Sequence, residues 1–347
     1  MIQTPKIEEN VNLAKLTTMN LGGNARFFAT AQKNEDIIFL VDFAKQNQLP
    51  IFILGGGSNT LVHDEGFKGL VIKNEILGRK ILHEDNRSVE FELGAGEDWN
   101  SFVKFAVLQE GLSGIEAMVS IPGTVGALPV QNVGAYGQEI ADVFISLNAL
   151  NLEKGVFEEL SKEDCEFSYR DSIFRRSAAG KYFITSIKIK LSKLPPKGPF
   201  YAGVETYFQN NNIPTDNITA AQILNAVAKI RADKLPDPKL ISSAGSFFKN
   251  AIISAKQADG LKDAYGDKIP LFDLNDGRYK ISTGWLIDKA GLKDVELHGM
   301  CPHFKNALVL TNVSARNFND LALAREEIKS IVKGKFGIEI EQEPLEI

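Results

Sequence analysis

The sequence predicts an α+β protein with more than one domain, and three observations support this prediction. Helical and strand patterns alternate along the 347 residues, which is typical of mixed folds. Two apolar segments run directly into glycine-rich loops. A chain of this length with 44% hydrophobic residues also has enough apolar material for about two or three cores.

The first predicted region contains two strands and a helix. "ARFFATA" (25–31) predicts a strand, and "LPIFIL" (49–54) predicts a buried strand that leads into three glycines. Between them, "NEDIIFLVDFAKQNQ" predicts a helix with one apolar face. That face comprises Ile37, Leu40, Val41 and Ala44.

The second predicted region begins with the strand in "SVEFELGAGEDW" (88–99). The helix "NSFVKFAVLQEG" follows and ends at Gly111, because glycine accepts the left-handed conformation at a helix C-terminus. A glycine-rich run then extends to Gly137. Farther on, "FITSIKIKL" (183–191) predicts a strand and "LPPKGPF" (194–200) a surface connection.

The third predicted region starts near Thr219 with the helix "TAAQILNAVAKIRADK". "STGWLIDKAG" (282–291) predicts another helix, and "NALVLTN" (306–312) predicts a strand. The last helix carries Leu321, Ala324, Ile328 and Ile331 at helical spacing. "GIEIEQEPLEI" (337–347) predicts a terminal strand, whose alternation puts Glu339, Glu341 and Glu343 on one face.

Composition and charge argue against several classes of protein. A net charge of −5 disfavours general nucleic-acid binding, which usually needs a basic face. Cys165 and Cys301 are far apart and no histidines cluster, so neither a disulfide framework nor a metal site is expected. The sequence shows no signal-like N-terminus and no apolar run of about 18 residues, so we expect a cytoplasmic protein without membrane contact.

Two glycine loops are candidate phosphate sites. Gly55, Gly56 and Gly57, with Ser58 and Asn59 behind them, follow a predicted buried strand, so that backbone N–H groups can turn toward an anion. A tight turn between strands is the alternative for this loop. "GAGEDW" (94–99) begins like a dinucleotide fingerprint, but Trp99 replaces its third glycine.

The run "MVSIPGTVGALPVQNVGAYGQEIAD" (118–142) combines glycines with amide side chains and has no charge before Glu139. Glycines allow a ligand to approach the backbone closely, and amides both donate and accept hydrogen bonds. These properties suit a flat hydrogen-bonding ring such as an isoalloxazine. A glycine-rich barrel corner is the structural alternative.

The stretch "SSAGSFFKN" (242–250) places Ser246 directly after a glycine. A hydrolytic serine usually lies in G-x-S-x-G with a base beside it. Here the second glycine is missing, and the chain has only four histidines. A nucleophilic role is therefore not expected, and the hydroxyl needs another explanation.

Six motifs in their order resemble the UDP-N-acetylenolpyruvoylglucosamine reductase (MurB) family. They are "LGGGSNTLV", "SIPGTVGALPVQNVGAYGQEI", "SYRDSIFR", "KLPDPKL", "AGSFFKN" and "GWLIDKAGLK". The resemblance implies a two-lobed FAD-binding domain of the vanillyl-alcohol-oxidase (PCMH) type and a C-terminal α+β substrate-binding domain. The expected boundaries are 1–75 with 335–347 for the first lobe, 76–218 for the second lobe and 219–334 for the substrate domain.

The resemblance also implies an activity in peptidoglycan synthesis, and hence a part in cell-wall biogenesis, cell shape, the cell cycle and cell division. Such an enzyme, a UDP-N-acetylmuramate dehydrogenase, reduces the enolpyruvyl ether of UDP-N-acetylglucosamine-enolpyruvate with NADPH and gives UDP-N-acetylmuramate. FAD is the expected cofactor and delivers the hydride from its N5 atom, while Ser246 delivers the proton. We expect a cytoplasmic monomer whose partners are NADPH and the UDP-sugar, without nucleic acid, membrane or metal.

Single residues match the family's functional positions. Arg170, Ser246 and Glu343 match its catalytic residues. The expected cofactor contacts are Gly55, Gly56, Gly57, Ser58, Asn59, Ile121, Pro122, Gly123, Gly126, Gln131, Asn132, Gly134 and Ala135. The expected substrate contacts are Tyr136, Tyr169, Tyr201, Arg231, Lys234 and Asn250. Two departures stand out, because Tyr201 lies one position away from a simple alignment and Pro344 follows Glu343 where the family continues an apolar strand.

The residue types suit this chemistry. Hydride addition to the enol ether leaves a carbanion beside the substrate carboxylate, so that the two groups together form a dianion. A guanidinium such as Arg170 stabilises this dianion. Glu343 can assist only as a desolvated, protonated acid. The carbanion is basic enough to take a proton from an alcohol, which gives Ser246 a role as general acid.

Residues 226–256 carry a local charge of +4 in a chain of net −5, which favours a diphosphate. Lys239 and Lys256 are expected on the solvated surface. Two alternatives to the reductase activity remain open from the sequence. One is a flavin oxidase of the same fold that acts on a sugar or alcohol, although the glycine runs lack a histidine or cysteine for flavin attachment. The other is a UDP-sugar or flavin-binding regulator, which predicts a broken set of the three catalytic residues.

Overall fold

A computed structural model describes residues 4–347, which form two compact units. The first unit contains the described residues up to Val11, then Ala25–Gly56 and Lys68–Asp233. The second contains Asn12–Asn24, Gly57–Phe67 and Lys234–Ile347. The division into three regions expected from the sequence stays a prediction.

The first sheet of the first unit has four strands in the order β1-β2-β5-β3. They are β1 (Ile7–Asn12), β2 (Asn24–Ala31), β3 (Ile51–Leu54) and β5 (Phe67–Asn74), and β4 (Thr60–Leu61) lies outside this sheet. Helix α1 (Asn34–Gln46) buries Ile37, Leu40, Val41 and Ala44, as predicted. The prediction for β3 was only partly right, because three of its four residues are half-buried; the strand lies at the edge of the sheet, where one side lacks a neighbour.

The second sheet of the first unit is antiparallel, in the order β11-β10-β12-β7-β6. Its strands are β6 (Arg79–Glu84), β7 (Ser88–Gly94), β10 (Phe144–Asn151), β11 (Val156–Ser161) and β12 (Tyr182–Ser192). Helix α2 (Trp99–Lys104) continues into a π-helical turn, Phe105–Gln109. Gly111 follows with φ +68°, which confirms the predicted left-handed end.

Helices α4 (Ala202–Asn210) and α5 (Ala220–Lys234) complete the first unit. Helix α5 buries Ile223, Leu224, Val227 and Ile230 in the same core as Trp99 and the second sheet. This apolar face explains why the first unit extends to Asp233. Shorter elements of this unit are β8 (Gly134–Ala135), β9 (Gln138–Glu139), α3 (Ile140–Val143) and the 3₁₀ turns Glu116–Met118, Val125–Gln131 and Ile173–Arg175; another 3₁₀ turn, Ala14–Leu16, lies in the second unit.

The second unit combines three small sheets with three helices. The sheets are β13-β18-β17, β14-β16-β15 and the parallel pair β4-β19. Their remaining strands are β13 (Ser243–Ser246), β14 (Ala251–Ser254), β15 (Leu271–Asp273), β16 (Arg278–Ile281), β17 (Met300–His303), β18 (Asn306–Asn312) and β19 (Leu345–Glu346). The helices are α6 (Ala255–Tyr265), α7 (Thr283–Lys289) and α8 (Phe318–Phe336).

The chain end departs from the predicted continuous strand. Residues 337–347 form one bridge, between Phe248 and Gln342, and the two-residue strand β19. Pro344 lies between these two elements and has no N–H for a ladder. In α8, Val332 is buried instead of the predicted Ile331, while Leu321, Ala324 and Ile328 are buried as expected.

Within residues 4–347 no helix has both the length and the apolarity needed to cross a membrane. Across the same residues, acidic, histidine and cysteine side chains form no group of three that could hold a metal ion. Cys165 and Cys301 are both free and buried. Burial raises the pKa of the Cys165 thiol to about 12, so this thiol stays protonated and unreactive near neutral pH.

Candidate functional site

The glycine loop after β3 packs against the neutral run of the same unit. A Cβ atom on Gly55 would lie 2.6 Å from Oγ1 of Thr124, and one on Gly56 would lie 2.8 Å from Cα of Gly123. Real Cβ atoms do not approach so closely, so both positions require glycine. The structure therefore brings together the two segments that the sequence predicted as cofactor contacts.

The second half of the loop belongs to the other unit, which begins again at Gly57. Gly57 has φ +66°, and its carbonyl accepts a 3.1 Å hydrogen bond from the amide of Thr18. The carbonyl of Asn59 accepts from the amide of Leu345 at 3.0 Å. Backbone hydrogen bonds thus fix this half of the loop, with Ser58 and Asn59 half-buried.

The neutral run leaves much of its backbone accessible. Pro122 is exposed, and Gly123 and Gly126 are half-buried. A Cβ on Gly126 would lie 2.6 Å from Cβ of Ala95. An uncharged surface rich in accessible glycines fits a cofactor with a large flat ring and a pyrophosphate, because such a group needs close backbone contact.

Two predicted cofactor residues in this run are buried and engaged inside the protein. Oε1 of Gln131 accepts a 2.9 Å hydrogen bond from Nη1 of Arg175. Asn132 is 0% exposed; its Nδ2 donates to the carbonyl of Ser168 at 3.1 Å, and its Oδ1 accepts from the amide of Ala141 at 3.1 Å.

Two tight hairpins present Tyr136 and Arg170. Strands β8 and β9 are joined by Tyr136 and Gly137, which have φ +49° and +86°, as in a type I′ turn. Ser168 and Asp171 form a bridge around Tyr169 and Arg170. Arg170 has φ +52°, an uncommon conformation for a long side chain. Such strain often occurs at functional sites.

Arg170 is held by the other hairpin. Its Nη2 donates a 2.6 Å hydrogen bond to the carbonyl of Gly134. Its guanidinium carbon lies 5.3 Å from the centre of the Tyr169 ring. These contacts give the charged group a defined position, and Gly134 contributes a backbone carbonyl in addition to the cofactor contact expected from the sequence.

Tyr136, Tyr201 and Arg231 form a second cluster in the first unit. The two tyrosine rings meet edge to face at 5.4 Å, so the structure places Tyr201 beside a predicted substrate residue despite its shifted position in the sequence. Nη2 of Arg231 donates to the carbonyl of Ser120 at 3.1 Å. Its buried Nε has no hydrogen-bond partner within residues 4–347.

Burial dominates the electrostatics of this cluster. It lowers the pKa of the Arg231 guanidinium and raises the pKa of the Tyr136 phenol, although the positive charge of Arg231 acts on Tyr136 in the opposite direction. Arginine nonetheless keeps its charge near neutral pH. A buried guanidinium with an unpaired N–H is a suitable partner for an anionic ligand group.

Ser120 also belongs to this cluster, although its residue type and position in the sequence did not predict it. Ser120 has φ +61°, and its amide donates a 2.7 Å hydrogen bond to Oδ1 of Asn100. This arrangement directs its carbonyl to Arg231. No local sequence signal identifies such a position, because the left-handed backbone of a serine depends on contacts distant in sequence.

In the second unit, Ser246 lies at the end of β13. A register shift separates the pairs Ser243–Thr311 and Ser246–Val309, and Gly245 within it has φ +68°. Such a bulge redirects the following side chain. The amide of Phe247 donates to the carbonyl of Leu308 at 2.8 Å, so β18 fixes one side of this segment.

The chain end fixes the other side. The amide of Glu343 donates to the carbonyl of Phe247 at 2.9 Å, and the amide of Lys249 donates to the carbonyl of Glu341 at 2.9 Å. Glu343 is 9% exposed, whereas the Glu341 side chain is 78% exposed. The sequence had placed both glutamates on one face, and the structure separates them because the alternation ends before Pro344.

The predicted diphosphate contacts have different environments. Lys234 is exposed at the end of α5. Oδ1 of Asn250 accepts a 3.1 Å hydrogen bond from the amide of Thr283, at the start of α7. This bond holds the amide group and leaves its Nδ2 donors as the atoms suited to a ligand.

The predicted local charge of +4 is partly neutralised by ion pairs. Lys229 lies 3.0 Å from Asp233, and Lys249 lies 3.7 Å from Glu341. Lys239 and Lys256 are exposed, which agrees with the surface positions expected for them. The basic character of this segment is therefore weaker than a count of residues indicates.

Comparisons with known proteins agree with these features. A family model described as "FAD binding domain" matches residues 25–161, and one described as "UDP-N-acetylenolpyruvoylglucosamine reductase, C-terminal domain" matches residues 237–347. The reductase of Bdellovibrio bacteriovorus is 41% identical over 98% of this chain and 99% of its own. That of Pseudomonas aeruginosa is 36% identical over 98% of each chain.

Solved structures support the fold. The crystal structure of the reductase from Thermus caldophilus covers 99% of both chains with a TM-score of 0.66 at 23% identity. With the two matched domains, this likeness confirms the predicted α+β class, in which an FAD-binding domain is combined with a C-terminal domain of the reductase.

Proposed function

The chain belongs to the UDP-N-acetylenolpyruvoylglucosamine reductase family, and from this premise we propose that it reduces UDP-N-acetylglucosamine-enolpyruvate to UDP-N-acetylmuramate with NADPH. The observation that best supports the proposal is the placement of Glu343. Glu343 is buried, and its backbone amide donates a hydrogen bond to Phe247, the residue after Ser246. Glu343 and Ser246 both match the family's catalytic positions.

FAD fits the glycine-rich segments of this chain. Gly55–Asn59 would bind its pyrophosphate through backbone N–H groups, and the run 121–135 would lie against its ring through accessible glycines. When bound, FAD supplies the hydride chemistry that couples NADPH to the substrate. The run has no charged side chain before Glu139, and an uncharged surface of this kind suits a flat ring that forms hydrogen bonds.

Three side chains of this protein would act on the substrate. The alkene gains a hydride on its terminal carbon and a proton on the carbon beside the carboxylate. Arg170 would stabilise the negative charge that spreads into the carboxylate, and the bond from Arg170 to Gly134 limits the reorganisation required. Glu343 would assist as a protonated acid, because only the protonated form can donate a hydrogen bond to the developing negative charge. Ser246 would donate the proton.

The remaining predicted contacts would bind the nucleotide part of the substrate. Arg231 offers a desolvated guanidinium with an unpaired Nε, and Lys234 offers an exposed ammonium group. Asn250 would contribute Nδ2, because Oδ1 is engaged by Thr283. Tyr136, Tyr169 and Tyr201 would supply aromatic and hydroxyl contacts.

Anaerobic stopped-flow absorbance of the purified flavoprotein tests this function. We expect NADPH to bleach the flavin and the enolpyruvyl substrate to restore its absorbance, with UDP-N-acetylmuramate as product. A flavin oxidase would instead be reoxidised by oxygen after reduction by a sugar or alcohol. Reduced flavin that remains reduced after addition of the enolpyruvyl substrate would contradict the proposal. A parallel run with NADH measures the preference for the nucleotide.

A further inference from the structure

Hydrogen bonds run in both directions between one hairpin of the first unit and the other hairpin with the residues that lead into it. We call residues 134–139 the tyrosine hairpin and residues 168–171 the arginine hairpin. Nη2 of Arg170 donates to the carbonyl of Gly134 at 2.6 Å, at the start of the tyrosine hairpin. Nδ2 of Asn132, two residues earlier, donates to the carbonyl of Ser168 at 3.1 Å, at the start of the arginine hairpin.

Asn132 is built into the fold and is not arranged as a ligand contact. It is 0% exposed, and both ends of its amide have protein partners, Ser168 and Ala141. Its φ of +47° is one that asparagine tolerates better than other residues with a side chain. A buried amide satisfied at both ends fixes the backbone segments that it joins.

Two further hydrogen bonds join the same segments. Oγ of Ser172, which is fully buried, donates to the carbonyl of Val130 at 2.7 Å. Nη1 of Arg175 donates to Oε1 of Gln131 at 2.9 Å. These four hydrogen bonds join residues 130–134 to residues 168–175, and those of Asn132 and Arg170 are the two that reach the hairpins themselves.

We propose that Asn132 is a positioning residue for Arg170, a role that rests on the function proposed above. Arg170 has φ +52°, a conformation that a long side chain keeps only when its surroundings impose it. The bond from Asn132 holds the base of the arginine hairpin, so that the guanidinium at its tip meets Gly134. Without this bond the hairpin relaxes and the guanidinium leaves the position in which it stabilises the substrate dianion.

The first experiment uses Asn132→Gly, because glycine keeps the left-handed backbone and removes the side chain. We expect normal FAD content, an unchanged rate of flavin reduction by NADPH, and reoxidation by the enolpyruvyl substrate slowed by roughly 10²-fold, as for a misplaced catalytic group. Asn74→Ala is the matched control. Asn74 is also buried in the first unit and its amide also bridges two backbone groups, those of Ile184 and Ile76. This control should reoxidise at the wild-type rate.

A double-mutant cycle tests whether Asn132 acts through Arg170. In an Arg170→Ala background, Asn132→Gly should change the reoxidation rate by less than about twofold, because the two residues then act as one unit. Additive losses would overturn the inference. So would a loss confined to FAD binding, or an equal loss in Asn74→Ala.

Asn132→Asp keeps the shape of the side chain and tests the proposal if the glycine variant does not fold. A carboxylate cannot donate to the carbonyl of Ser168, but a protonated carboxyl group can. The reoxidation rate relative to wild type should therefore rise as the pH falls. A ratio independent of pH would contradict the role. Wild-type protein without substrate-dependent reoxidation would instead contradict the proposed function itself, and the inference with it.

Discussion

The backbone amide of Glu343 donates a 2.9 Å hydrogen bond to the carbonyl oxygen of Phe247. This contact places a buried glutamate, the fifth residue from the C-terminal end, beside the segment that begins at Ser246. Terminal residues usually fray unless the fold ties them down. Here the chain end is tied on both sides of Pro344, by the bridge at Gln342 and by the pairing of Leu345 with Thr60.

Replacement of Ser246 by alanine should separate the two half-reactions. We expect flavin reduction by NADPH to stay near the wild-type rate, because the hydroxyl is not needed for it. Reoxidation by the enolpyruvyl substrate should slow by about 10²-fold or more, the usual loss for a general acid. Stopped-flow absorbance measures both rates. Equal slowing of the two half-reactions would mean that the serine has a structural role.

Glu343 should behave differently from its neighbour Glu341. We expect Glu343→Ala to slow reoxidation by roughly 10²-fold, and Glu343→Gln to slow it less, because the amide keeps the shape and a hydrogen-bond donor. Glu341→Ala is the control, since this side chain is 78% exposed, and it should stay near wild type. A larger loss for Glu341→Ala than for Glu343→Ala would mean that Glu341, and not Glu343, has the catalytic role.

Removal of residues 343–347 should damage more than catalysis. The amide of Leu345 donates to the carbonyl of Asn59, and the amide of Ile347 donates to that of Leu61. We therefore expect a lower melting temperature and reduced FAD content, measured by thermal denaturation and flavin absorbance. Full FAD content would show that the glycine loop does not depend on β19.

Lys234 should affect binding more than turnover. A phosphate contact made equally in the ground state and the transition state changes KM and leaves kcat nearly intact. We expect Lys234→Ala to raise KM for the UDP-sugar by about tenfold, equivalent to about 1.4 kcal/mol. Lys239→Ala is the matched control, because Lys239 is also an exposed lysine of the same segment. Equal effects of the two substitutions would mean that only the general charge matters.

Arg231 should lower the stability of the free protein and strengthen binding of the substrate. A buried charge without a paired carboxylate is costly, and an apolar residue of similar volume is often more stable. Arg231→Met should therefore raise the melting temperature by about 2 °C or more and raise KM for the substrate. Calorimetry without ligand and steady-state kinetics measure the two effects. A lower melting temperature with unchanged KM would indicate that the bond to Ser120 is the main role of the guanidinium.

The helices and strands were largely predictable, because apolar periodicity is a local property. Helix α1 has the expected buried face, and β18 has the expected bounds. The errors lie where neighbours decide the outcome. Strand β3 is less buried than predicted because it is an edge strand, and the chain end forms a bridge and a short strand around Pro344 where a single strand was predicted.

The residues of the candidate site could be predicted from the sequence, but their arrangement in space could not. The motifs around Gly55–Asn59, Arg170 and Ser246 gave the family, because they hold residue types that its chemistry requires. The roles of the individual site residues stay predictions. Sequence alternation grouped Glu343 with Glu341, and only the tertiary structure separated the buried glutamate from the exposed one.

The sequence by itself determined the fold class, the family and the residue types available for catalysis, because these depend on local composition, spacing and order. The tertiary structure decided which residues meet. Arg170 adopts a left-handed backbone, and its guanidinium donates a hydrogen bond to Gly134, which lies 36 residues earlier in the sequence. The physical reason is that such conformations are unfavourable locally and are maintained only by distant partners, which no single stretch of sequence contains.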